Sequence, residues 1–182
     1  MGRYSDNYVG NYLIQNARFL PDKPAVIYGD RQVSWKEMND RVNRLAQAFL
    51  YLGVNKGDKI AFMFHNCPEF LEINWAAQKV GAVPVPMNYR FTTSEIVFQC
   101  QNCDAAVFLF EDIWMDQIEP ALPQLSDVKA FICKGAKRPD GVKDYEKVMT
   151  GHSPVEPNVP TNGDDICVII YTGGTTGYPK GV

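Results

Sequence analysis

The residues Tyr171-Thr172-Gly173-Gly174-Thr175-Thr176-Gly177-Tyr178-Pro179-Lys180-Gly181-Val182 hold four glycines, three threonines and one lysine within twelve positions. Glycine lets a backbone turn tightly and present its N–H groups to an anion. Threonine hydroxyls donate to phosphate oxygens without adding charge, and Lys180 supplies a mobile positive charge. Phosphate binding is the chemistry this composition supports. The segment is not a Walker A loop, which needs G-x-x-x-x-G-K-[ST], because Lys180 follows Pro179 and Gly181 stands where the magnesium-binding hydroxyl would be. Nor is it G-x-G-x-x-G, since Gly173 and Gly174 are adjacent. The competing reading is a hairpin loop that holds no ligand.

Other residues carry weaker signals. Cys100-x-x-Cys103 has half the spacing of a metal site, but no second pair or neighbouring histidine completes it, so both read as packed thiols. His65 follows an apolar run at the end where active sites gather; it reads first as a structural histidine and second as a cleft residue. Asn88-Tyr89-Arg90 is a second site candidate, ranked below its reading as a loop anchor. Trp35, Trp75 and Trp114 are accounted for by packing. His152 reads as solvated. No serine sits in a G-x-S-x-G context, so hydrolase chemistry has no support.

The elements that must position these groups alternate between strand and helix. Ala25–Tyr28 and Gln32–Trp35 around Gly29-Asp30 predict a β-hairpin. Ser34 and Glu37 form a capping box for a helix whose apolar stripe is Met38, Val42, Leu45, Phe49 and Leu52, ended by Gly53. Ile60–Phe64 is apolar without alternation, as expected of a strand covered on both faces. Asn66 and Pro68-Glu69 open a helix that ends near Gly81. Ala82-Val83-Pro84-Val85-Pro86 predicts a strand that is irregular, at an edge or only partly paired. Thr92 and Glu95 cap a third helix, Ala105–Phe110 and Val128–Cys133 are further strands, residues 113–125 are weakly helical, and Asp144–Met149 is a short helix. Ile166–Tyr171 is expected as a buried strand feeding the Gly/Thr loop. The pattern gives an α/β fold: repeated βαβ units forming a largely parallel sheet with helices on both faces. Ligands bind such sheets beyond the C-terminal strand ends, and the Gly/Thr loop is expected at one of them. The division expected is an α/β subdomain over 1–150, a surface linker over 151–163, and a strand and phosphate-binding loop over 164–182.

The chain has 182 residues, 46% of them apolar and 21% charged, with a net charge of -3. That balance describes a globular domain and offers no basic surface for nucleic acid or anionic lipid. Residues 1–7 carry no apolar h-region and no run is long enough to span a membrane, so neither a secretory signal nor a spanning segment is expected. Five scattered cysteines without a leader predict reduced thiols and a cytoplasmic protein.

The Gly/Thr segment resembles the phosphate-binding signature of the AMP-forming acyl-CoA synthetases, in the adenylate-forming superfamily that also holds nonribosomal-peptide adenylation domains and luciferases. The family pattern is Tyr-Thr-Ser-Gly-Thr-Thr-Gly-x-Pro-Lys-Gly-Val. Asp22-Lys23-Pro24-Ala25, Gly53–Lys59 and Gly81–Arg90 are similar to the family's N-terminal region, so the resemblance covers essentially the whole chain. It implies activation of a fatty or aryl carboxylic acid by ATP, with Mg2+, to acyl-AMP, then transfer to CoA. It implies that Thr172, Gly173, Gly174, Thr175, Thr176, Gly177 and Lys180 hold the phosphates, and that Lys180 also serves catalysis by neutralising charge on the leaving pyrophosphate. Gly173 departs from the family's serine and removes one hydroxyl donor. The family's magnesium-binding acid, ribose-binding acid and catalytic lysine lie downstream of the matched region, so these residues alone are expected not to complete adenylation. An amino-acid adenylation domain, or a non-catalytic nucleotide-binding or dimerising fragment, is the alternative; a homodimer is left open.

Overall fold

The computed structural model describes residues 10–172 and 179–182. It opens with a helix that the periodicity above did not isolate, α1 (Gly10–Phe19), which buries Leu13. The hairpin follows as expected, with β1 (Pro24–Tyr28) antiparallel to β2 (Arg31–Ser34). Helix α2 (Trp35–Tyr51) starts where Ser34 Oγ accepts from Glu37 N at 3.1 Å, and it buries the expected stripe Met38, Val42, Leu45 and Phe49. Such a cap satisfies one of the backbone donors that the first helical turn leaves without a partner.

The centre of the molecule is a five-stranded parallel sheet in the order β4-β3-β5-β6-β7. Its strands are β3 (Lys59–Met63), β4 (Val83–Pro86), β5 (Ala105–Glu111), β6 (Ala130–Lys134) and β7 (Lys143–Asp144). β7 pairs with β6 through two residues and was not foreseen, being too short to leave a pattern. Helix α3 (Pro68–Lys79) joins β3 to β4 and α4 (Thr93–Asn102) joins β4 to β5. The residue before α3's first turn is Cys67, one position later than the expected Asn66. At α4 the Thr92–Glu95 capping box is complete. The weakly helical stretch resolves into two short 3-10 turns around α5 (Met115–Ile118), and α6 (Tyr145–Met149) is capped by Asp144.

Two cores cover the two sheet faces, which is why the central strands are apolar without alternation. Ile60, Phe62, Val107, Leu109 and Ile132 face α1, α2, α3 and α6. Ala61, Met63, Phe108, Phe110 and Cys133 face α4 and α5. β4 is an edge strand. Val83 N donates to Asp58 O and Met87 N to Phe62 O, so the odd-numbered residues address β3 and the two prolines turn outward. Their outward carbonyls are occupied: Pro84 O accepts from Ile169 N at 3.1 Å and Pro86 O from Gln99 Nε2 at 3.3 Å.

The expected linker over 151–163 is irregular, but it is strapped down rather than merely draped. Arg44 donates to His152 O, Asn43 to Pro154 O and Gln47 to Val155 O. Lys79, fully buried, donates to Glu156 Oε2 at 2.7 Å and to Asn39 and Asn43. His152 is accordingly only partly exposed, its ring 5.6 Å from that of Tyr51.

The expected buried strand Ile166–Tyr171 is not present. Only Tyr171–Thr172 is strand, as β8, paired antiparallel with β9 (Lys180–Gly181). Ile166 is 64% and Ile170 52% exposed. An apolar run becomes a buried strand only where neighbours pair it and cover it. Here the described pairing is Ile169 N to Pro84 O and the mutual bonds of Ile170 with Val182.

Candidate functional site

The flanks of the Gly/Thr motif are described; Gly173, Gly174, Thr175, Thr176 and Gly177, expected to hold phosphates, lie outside the described residues. The structure brings Thr172 and Lys180 together at the base of the motif. They are register partners across β8 and β9, and Thr172 Oγ1 donates to Lys180 O at 3.4 Å. Both are exposed. Tyr171 OH donates to Asn102 Oδ1 at 2.6 Å, and burial pushes its phenol above the ordinary value.

These flanks do not stand at the C-terminal ends of the five-stranded sheet, as expected above. Cys167 O accepts from Gln78 at the end of α3, Ile169 reaches Pro84 near the start of β4, and Tyr171 reaches Asn102 at the end of α4. All three contacts lie towards the strands' N-terminal end.

The C-terminal ends of the strands carry a different arrangement. The connection after β3 turns to the α3 face, while those after β4 and β5 turn to the α4 face, and such a reversal opens a crevice between the strand ends. His65 follows β3, Tyr89 follows β4 and Trp114 follows β5. The His65 ring is 4.6 Å from that of Trp114 and 5.0 Å from that of Tyr89. Tyr89 and Trp114 stack at 5.8 Å with 21° between their planes. Arg90 stands 5.5 Å from the Tyr89 ring centroid. His65 is thus half exposed, its side chain 46% open to solvent, and packs against two rings at the strand ends. Trp114 and Tyr89 build the same crevice. Their spacing in sequence, 49 residues from His65 to Trp114, carries no motif; only the topology unites them.

A charged network underlies the aromatics. Glu111 Oε2 accepts from His65 N at 2.7 Å, and Glu111 Oε1 lies 3.3 Å from Lys134 Nζ. Lys134 also pairs with Glu69 at 2.9 Å, and Glu69 with Arg31 at 2.7 Å. Burial would push the Glu69 carboxyl up, but the bonds from Lys134 and Arg31 overcome it and hold the group down to about 2. Cys67 Sγ is 3.7 Å from Lys134 Nζ. Burial nevertheless pushes the thiols of Cys67, Cys103 and Cys133 up to about 11, so none of these is a thiolate nucleophile near neutrality. All five cysteines are free. Among the described residues no group of three His, Cys, Asp or Glu side chains could hold a metal ion. No described helix is long and apolar enough to cross a membrane.

Residues 13–182 match the family model described as AMP-binding enzyme. The chain belongs to that family. Its similar sequences include the medium/long-chain-fatty-acid–CoA/3-oxocholest-4-en-26-oate–CoA ligase of Mycobacterium tuberculosis, 32% identical over 169 residues, covering 90% of this chain and 30% of that protein. The crotonobetaine/carnitine–CoA ligase of Salmonella typhi is 32% identical over 185 residues, covering 92% of this chain and 36% of that one. The chain thus spans about a third of the length of these relatives. Among solved structures, the N-terminal domain of FACL13 from Mycobacterium tuberculosis superposes with a TM-score of 0.83 at 30% identity, covering 97% of this chain and 44% of that one. The anthranilate CoA ligase AuaEII, in complex with anthranoyl-AMP, superposes with a TM-score of 0.92 over all of this chain and 35% of its own; at 21% identity it shows the shared fold. The AMP-binding family thus accounts for the whole described α/β sheet.

Proposed function

We propose that the protein carrying this chain is an AMP-forming acid–thiol ligase. It activates a fatty or aryl carboxylic acid with MgATP and passes the acyl group to CoA. One observation carries the reading: within a chain of the AMP-binding family, Thr172 and Lys180 converge at the base of the Gly/Thr motif. The carboxylate oxygen attacks the α-phosphorus, the bond to the β-phosphate oxygen breaks, and pyrophosphate leaves. The CoA thiol then attacks the acyl carbonyl, AMP departs with the bonding electrons, and the thiol proton passes to solvent.

In this reading the β- and γ-phosphates are held by the hydroxyls of Thr172, Thr175 and Thr176, by backbone N–H groups of Gly173, Gly174 and Gly177, and by the ammonium of Lys180. Donors already in place when charge accumulates on the leaving group lower the barrier most. Mg2+ enters as the counter-ion of ATP, and no described residue is assigned to it. The acceptor thiol comes from outside, consistent with the raised thiols of Cys67, Cys103 and Cys133. Free cysteines throughout support a reducing compartment, the cytoplasm.

The exposed rings of His65 and Tyr89, backed by Trp114 and with Arg90 beside them, suit a planar, anionic ligand end such as the nucleotide of CoA. The test uses the complete protein of the reading frame. Carboxylate-dependent exchange of labelled pyrophosphate into ATP, and CoA-dependent release of thioester and AMP, are expected. Release of ADP, or exchange indifferent to any carboxylate, overturns the reading.

A further inference from the structure

Asn102 ends α4 and belongs to none of the motifs above. Its Oδ1 accepts the Tyr171 hydroxyl at 2.6 Å. The Tyr171 ring packs against the core on the α4 face. It also backs Gly181: a Cβ there would stand 3.2 Å from ring atoms Cε2 and Cζ and 3.0 Å from Ile169 Cγ2. Gly181 pairs with Tyr171 across the two-residue ladder, and Lys180 pairs with Thr172. One side chain of α4 therefore reaches, through a single rigid ring, both flanks of the Gly/Thr motif.

Few other contacts tie these flanks to the sheet. Among the described residues, the backbone of residues 166–172 meets it through Ile169 N to Pro84 O, and the Gln78 amide holds Cys167 O at 3.0 Å. A tyrosine has two rotatable side-chain bonds. Fixing its hydroxyl end fixes the direction of the ring's long axis, and the ring packed there limits where Gly181 can lie.

We propose that Asn102 is a positioning residue for ATP: through the Tyr171 hydroxyl it holds Thr172 and Lys180 in the register that meets the phosphates. The inference rests on the ligase reading above. It deepens that reading by naming a residue outside the motif on which the motif depends. The Asn102–Tyr171 bond lies at the surface, so its loss costs the fold little, whereas donors aimed at a transferring phosphoryl group need their positions held closely.

Steady-state kinetics of the complete protein test this with Tyr171→Phe, which removes one oxygen, with Asn102→Ala, and with the two combined. Each single variant should raise KM for ATP roughly three- to tenfold, the scale of one net hydrogen bond. The double variant should do no more than either alone, because both changes break the same bond. KM for the carboxylate and the melting temperature should stay at wild-type values. Gly181→Ala, which presses on the same ring, should act in the same direction. Wild-type KM for ATP in both single variants overturns the inference, as does a parallel rise in KM for the carboxylate. If Asn102→Ala misfolds, Tyr171→Phe decides alone. A wild-type protein without carboxylate-dependent pyrophosphate exchange overturns the ligase reading and this inference together; wild-type activity with indifferent variants overturns only this one.

Discussion

Replacing Glu69 with glutamine probes the charged network beneath the crevice. Glu69 is buried at the first turn of α3, with its side chain 4% exposed, and is gripped by Arg31 at 2.7 Å and Lys134 at 2.9 Å. Its carboxyl is held down to about 2 against an ordinary 4.5. A depressed carboxyl contributes stability that is complete above the unfolded value and drains away as pH falls from 4.5 towards 2. At about 1.4 kcal/mol for each tenfold step, that interval corresponds to about 3–4 kcal/mol. Arg31 and Lys134 are partly exposed and can recover water, so the loss in Glu69→Gln at pH 7 should sit at or somewhat below that figure, about 2–3 kcal/mol. Hydrogen exchange of amides in β3 and β6, measured on the complete protein, reads it locally. The wild type should lose protection between pH 5 and pH 3 far more steeply than the variant, and the two should converge at the acid end. Equal protection at pH 7, or parallel acid slopes, would refute the assignment of this stability to Glu69.

Lys79 should show a trend of the same sign in the alkaline range. Burial pushes its ammonium down to about 8 despite Glu156, so protection of α3 should rise as pH climbs from 8 towards 10.5; a fall across that window would contradict it. Glu156→Gln leaves that ammonium uncompensated and should cost about 3–5 kcal/mol by urea unfolding, with Lys79→Met in the same chain recovering part. Tyr89→Ala removes one face of the crevice and should raise KM for CoA roughly tenfold while leaving pyrophosphate exchange unchanged, as expected for loss of about 1–2 kcal/mol of ring contact; an unchanged KM for CoA would dissociate the crevice from the thiol substrate. Gly173→Ser restores the hydroxyl of the family pattern and should lower KM for ATP by roughly tenfold or more, the worth of a donor to a charged group; identical kinetics would make that hydroxyl dispensable.

Much of this architecture was legible in the sequence because each element carries its own local signature. The apolar runs at Ile60–Phe64 and Ala105–Phe110, the caps at Ser34 and Thr92, and the proline-bearing strand all fell where read. What failed depended on distant partners. The run Ile166–Tyr171 has the composition of a core strand, but strand formation is decided by pairing, and the described neighbours pair only its end. Prolines over 151–163 announce a loop and say nothing of the six polar side chains, spread over α2, α3 and the loop before β3, that fasten it. The Gly/Thr motif was visible because its residues are consecutive. The crevice was not, because His65, Tyr89 and Trp114 converge only once β4 and β5 flank β3.

The alternation of valine and proline in β4 has a consequence beyond marking an edge. With Pro84 and Pro86 facing outward, that edge offers no N–H donor, and both its outward carbonyls already hold partners in Ile169 and Gln99. A foreign strand meeting this side would find nothing to give and nothing free to take, so the sheet cannot recruit a second copy of itself there. The same spacing forbids slippage. Moving β4 one residue along β3 would bring a proline nitrogen to the place where the Asp58 carbonyl or the Phe62 carbonyl, according to the direction of the shift, requires a donor. Two residues that cannot hydrogen-bond through nitrogen thus set both the register and the limit of the sheet.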